Sequence, residues 1–136
     1  MAMSNLKNQI FMKKYNLILV FLSIILFSCE GSDSYQGNWK ALDSNGKKFE
    51  INFSRKKFSI KDSIGKSNVY EYAQNSIKSE NSIATYGILL KDGRGYQIYF
   101  PKKDESVGLI LDENGKQMYT IGRKDYVTYD MIYKLN

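Results

Sequence analysis

Between residues 48 and 54 the chain alternates without a break: Phe49, Ile51 and Phe53 fall on one face, Glu50 and Asn52 on the other. Strict period-two alternation over so short a segment predicts a β-strand with one buried side. The rhythm recurs. Residues 57–61 pair Phe58 with Ile60, residues 68–74 carry Val69, Tyr70 and Tyr72, residues 96–100 align Tyr96, Ile98 and Phe100, and residues 106–112 align Val107, Leu109 and Leu111. Shorter segments at 38–42 and 117–122 complete the series. Residues 82–91 pass from alternation into the continuous run Ile88-Leu89-Leu90, as happens at a bulge or where both faces are covered. At the C-terminal end Val127, Tyr129, Met131, Tyr133 and Leu135 repeat at period two, which predicts a last strand over 125–135. The polar stretch 75–81, apolar only at Ile77, fits a strand edge, a loop or a short helical turn equally well.

Turn formers separate these segments. Asn45-Gly46 is a strong hairpin signal because both residues tolerate positive φ. Asp62-Ser63-Ile64-Gly65, Asp92-Gly93-Arg94-Gly95 and Glu113-Asn114-Gly115-Lys116 punctuate the chain in the same manner. Eight or nine short strands with almost no room for a helix predict an all-β domain. A small antiparallel up-and-down barrel of about eight strands is the most economical solution, since closure removes exposed edges. A two-sheet β-sandwich is the alternative geometry.

The first 28 residues are different. They hold Lys7, Lys13 and Lys14, no acidic residue, and an apolar run from Leu17 to Phe27 broken only by Ser23. At eleven residues that run is short of the roughly 20 that span a bilayer as a helix, and it fits the core of an export signal. Leu26-Phe27-Ser28-Cys29 follows and resembles a bacterial lipobox. The resemblance implies cleavage before Cys29, a thioether-linked diacylglycerol on its sulfur and acyl chains such as palmitate as the membrane anchor. It also accounts for a single cysteine with no partner. The expected organisation is a signal peptide over 1–28, a lipidated Cys29 with a flexible tether over 29–35, and a barrel domain over 36–136. Glu30 and Asp33 in the tether are similar to the acidic residues that direct surface export in lipoproteins of Bacteroidetes-type bacteria; a plain solvated linker is the other reading. The expected location is the bacterial cell envelope, anchored by lipid to the outer membrane on its periplasmic or surface face.

Removing residues 1–28 takes away three of 20 basic residues and none of 14 acidic ones, so the formal charge falls from +6 to +3. The electrostatic case for nucleic acid goes with it. Arg55-Lys56-Lys57 reads as the charged tip of a hairpin. There is no histidine, hence neither the commonest general base nor the commonest zinc ligand. The carboxylate pairs Asp104-Glu105 and Asp112-Glu113 fall in predicted turns, where neighbours point into solvent. No cofactor, metal or catalytic residue is expected, and the chain is read as non-enzymatic.

Tyr35-Gln36-Gly37-Asn38-Trp39, at the start of the first strand, resembles the Gly-x-Trp motif of lipocalin and calycin barrels, here in the form of the small lipocalin-like domains carried by bacterial lipoproteins. The resemblance implies structural roles for Gly37 and Trp39, with a basic side chain from near the chain end, Arg123 or Lys134, over the indole. Two functions are then open. One is an interaction module for another envelope protein, such as an inhibitor, immunity or assembly factor. The other is a carrier or sensor of a small apolar ligand. Tyr70, Tyr72, Tyr96, Tyr99 and Tyr119 are the candidate contacts for either, and bulky Phe49, Phe53, Phe58 and Phe100 favour a filled interior.

Overall fold

The computed structural model describes residues 34–134. Strands β1 (Gly37–Leu42), β2 (Lys48–Phe53), β3 (Lys57–Asp62), β4 (Ser67–Glu80), β5 (Ile83–Leu90), β6 (Gly95–Phe100), β7 (Val107–Asp112) and β8 (Gln117–Gly122) each pair antiparallel with the next. β8 returns to β1 through Lys40↔Gly122, Ala41↔Ile121 and Leu42↔Thr120, so the sheet is a closed barrel and not a sandwich. The expected signal segment, Cys29 and the tether as far as residue 33 lie outside the described residues. The last tether position is corrected: Tyr35 is a core residue, 1% exposed.

One turn design builds three of the hairpins. Asp43, Asp62 and Asp112 each open a segment of the form Asp-x-x-Gly-Lys, and each Oδ1 accepts the backbone N–H groups two and four residues on: Asn45 and Lys47, Ile64 and Lys66, Asn114 and Lys116, at 2.8–3.1 Å. The glycine in each sits at positive φ, a conformation that costs glycine nothing. The β5–β6 hairpin has the same backbone bonds, Leu90 N–H to Arg94 O and Gly93 N–H to Leu90 O, with its aspartate moved to Asp92. In an up-and-down barrel alternate connections emerge at one end, so all four hairpins ring one mouth. The other three connections, the start of β1 and the end of β8 lie at the opposite end.

That opposite end is shut by Trp39. Its ring packs on Phe100 at 5.7 Å, and its Nε1 donates to Tyr35 O at 2.7 Å. Arg123 lies over the indole, 3.7 Å from the centroid, and donates to Asn38 O (3.1 Å), Ser34 O (2.7 Å) and Gln36 O (2.7 Å). Of the two basic candidates it is Arg123, just after β8, that takes this place. Gly37, with φ at +102°, admits the guanidinium: a Cβ there would stand 3.0 Å from Arg123 Nη1. Above this floor Tyr35, Phe53, Phe58, Tyr72, Tyr86 and Phe100 interleave, and Gly108 leaves room for Phe100, whose ring would meet a Cβ at 2.9 Å.

Two segments differ from the sequence expectation. Residues 75–80 continue β4 as strand, past a register shift between Gln74 and Ser76. The expected final strand over 125–135 is instead a short helix, α1 (Tyr129–Lys134). The physical reason is that β8 already pairs with β1, so no edge remains beside β8 for the segment that follows it to join as a ninth strand. Thr128 caps α1, its Oγ1 accepting from Met131 N–H at 3.3 Å, with Asp130 in the first turn and Lys134 in the last complementing the helix dipole. Ile132 then packs with Leu109 and Val127 on the outside of β7, so the Val107, Leu109, Leu111 face looks outward beneath the helix, while Ile110 joins the barrel core.

Trp39→Ala is expected to cost about 3–5 kcal/mol in chemical denaturation, because the indole is fully buried and its neighbours are fixed by the barrel. A loss under about 1 kcal/mol, the scale of a surface substitution, would mean the floor does not depend on it.

Candidate functional site

The mouth is where the barrel stops being filled. Inward-facing positions of β4, β6 and β8 carry Tyr70, Tyr96 and Tyr119 there, all half-buried, each with an aromatic body against the core and a phenol able to reach water. Tyr70 stacks on Phe58 (5.2 Å), and Tyr119 meets the edge of Phe49 (5.6 Å). Between them is a cavity of about 180 Å³, bounded below by Ile51, Phe53, Phe58, Ile88 and Ile110.

Arg94 stands at the lip. Its guanidinium lies 5.3 Å from the Tyr70 centroid, donates to Asp92 through Nε (3.0 Å) and Nη2 (2.7 Å), and reaches Tyr96 Oη from Nη1 at 3.4 Å. The hydrogen bond to Arg94 holds the Asp92 carboxyl below its usual pKa, and Asp92 in turn raises that of Arg94. These contacts place the cation at the edge of the opening. Glu113 supports this hairpin from the next one, its Oε1 accepting Gly95 N–H at 2.6 Å.

Of the five tyrosines singled out from sequence, Tyr70, Tyr96 and Tyr119 come together at the mouth. Tyr72 does not: it is 6% exposed in the lower core, and its hydroxyl donates to Ser54 O. Tyr99 faces outward and packs beside Leu109 under α1, which leaves it half-buried. Sequence reasoning missed Arg94, which it treated only as a hairpin residue. A usable signal existed in the turns, where Lys47, Lys66, Arg94 and Lys116 each follow the left-handed glycine directly. Gly37, Trp39 and Arg123 lie at the other end and take no part in the mouth.

Chemically, the arrangement can hold one compact apolar or aromatic group on three phenol rings and face an acceptor or anion with Arg94. Among the described residues no group of three or more His, Cys, Asp or Glu is placed to hold a metal ion. No helix among them is long and apolar enough to cross a membrane. No family model, curated protein or solved structure matches this chain.

Burial pushes the Tyr119 phenol above its ordinary value, with Asp43 adding to the shift. A raised folded-state pKa stabilises the fold fully below the unfolded tyrosine value of 10.0, and that stability is lost as pH rises through the folded value. Tyr119→Phe should therefore flatten the decline in stability above pH 10, read from denaturation midpoints along an alkaline series. An unchanged slope would mean Tyr119 titrates as if in water.

Proposed function

We propose that this chain is a lipid-anchored envelope protein, tethered through Cys29, whose barrel serves as a non-catalytic interaction module for another envelope protein. The observation that carries the reading is the size of the mouth cavity. About 180 Å³ is well below the roughly 300–1,000 Å³ of ordinary small-molecule sites, but comparable to the ~150 Å³ cavity that accepts a benzene ring. It suits one inserted side chain of a partner, with the hairpin tips as the surrounding contact. The lower barrel is filled by aromatic rings, so a long acyl ligand has no room.

The point at which the tether joins the domain supports the same reading. Cys29 is five residues before Ser34, and so within about 18 Å of it. Ser34 sits at the closed end, where its carbonyl meets Arg123. A lipid on Cys29 would thus attach the domain by its closed end, the end opposite the mouth. Two or three acyl chains anchor a small domain essentially permanently.

The same cavity would also take a single-ring ligand, which is the second reading. Crosslinking of the lipidated protein in its native envelope, followed by purification and analysis for proteins and for extracted small molecules, separates the two. The interaction module is expected to yield a stoichiometric protein partner that is lost in an Arg94→Ala, Tyr96→Ala double variant. A retained small molecule without a protein would favour the carrier. Cys29→Ala should move the protein from the membrane to the soluble fraction; a variant that still sediments with membranes would overturn the lipid anchor.

A further inference from the structure

β4 is unlike its neighbours. It runs for 14 residues where the other strands have six to eight, and no residue of it is paired on both sides. Positions 67–71 pair with β3, and positions 72–74 and 76–80 pair with β5, Asn75 falling at the register shift. The handover is held by Tyr72 N–H to Lys56 O, Lys91 N–H to Glu71 O and the Lys91–Glu71 ion pair at 3.1 Å. Beyond it, among the described residues, no strand lies against the β3 side of residues 73–80. At ~3.3 Å per residue, about 26 Å of strand edge is left with unused backbone donors and acceptors.

The two faces of this edge differ. Ile77 pairs with the inward-facing Tyr86, so it lies on the inner face, yet it is 49% exposed because no β3 extension covers it. Gln74, half-buried on the same face, accepts from Tyr35 Oη at 3.2 Å. The outer face is cationic. Lys78 pairs with Thr85 and points outward, and a groove outside the handover is lined by Lys56, Lys57, Ala73 and Leu89, the last 44% exposed. The acids nearby are Glu71, already paired with Lys91, and Glu80 at the far tip of the strand.

We propose that the free edge of β4 over residues 73–80 is a docking site for an extended segment of a partner protein in which apolar and acidic residues alternate, added to the sheet as one more strand. Backbone pairing supplies the contact common to all strand addition, and alternate side chains supply selectivity. The apolar set covers Ile77 on the inner face, and the acidic set meets Lys56, Lys57 and Lys78 on the outer face. This surface is separate from the mouth, so either site can fail without the other.

The test uses the full-length lipidated protein in detergent micelles, with a short synthetic peptide of alternating Glu and Val as probe and its Lys–Val counterpart as control. The Glu–Val peptide is expected to slow amide exchange within 73–80 and not at the four mouth hairpins. A Lys56→Glu, Lys57→Glu, Lys78→Glu variant, changed only at exposed positions, should bind it roughly tenfold more weakly and should prefer the Lys–Val peptide. Methylating alternate backbone nitrogens on the pairing side of the peptide should abolish the protection. The proposal is overturned if neither peptide protects 73–80, if binding ignores the charge reversal, or if the edge becomes protected by protein concentration alone, which would make a second copy its occupant.

Discussion

Arg123 stacked on Trp39 is the contact on which the rest of the structure depends. The guanidinium covers the indole at 3.7 Å and also takes up the carbonyls of Ser34, Gln36 and Asn38. A cation over a desolvated indole is worth about 2 kcal/mol, and hydrogen bonds to a charged donor add to it. Burial works against the charge and lowers the Arg123 pKa. Even so, arginine stays protonated and keeps its donors in a rigid fork. One side chain thus joins the end of β8 to the approach to β1, where the barrel has to close.

That closure polarises the domain. With the floor sealed and the aromatic core stacked on it, inward space remains at the hairpin end, bounded by Tyr70, Tyr96 and Tyr119. The turns there are stiff, because each aspartate occupies backbone donors that would otherwise face solvent. The lip residue Arg94 is therefore carried on a fixed hairpin, and its charge is aimed by Asp92 and by the ring of Tyr70.

The cost of closing eight strands appears at β4. A barrel needs a stagger between successive strands, and here the stagger is concentrated in one long strand that changes partner at Glu71 and Tyr72. The barrel is complete as a hydrogen-bonded ring, yet among the described residues β4 keeps an edge over 73–80 that no strand covers. Tyr35, from the segment before β1, lies beside that edge, its hydroxyl donating to Gln74 and its ring in contact with Phe53, Tyr72 and Tyr86.

Strands β1 to β3 and β5 to β8 were legible from alternation and turn chemistry, because both are set by residues close in the chain. So was the inward set on β6, where Tyr96, Ile98 and Phe100 all face the interior and Tyr99 does not. The period-two run from Val127 to Leu135 misled because helix or strand there was decided by whether an edge remained beside β8, a fact located in its pairing with β1. The same holds for Tyr72 and Tyr99, whose accessibility depends on Ser54 and on α1, and for Arg94, whose role requires Tyr70 and Asp92 to meet it. What the sequence by itself determined is the all-β character, the turns and the composition of the core, since local sterics and burial preference act residue by residue. Barrel over sandwich, a helix at the C-terminal end, the mouth and the open edge of β4 were decided only in the tertiary structure, because each depends on which distant strand occupies a given set of backbone hydrogen bonds.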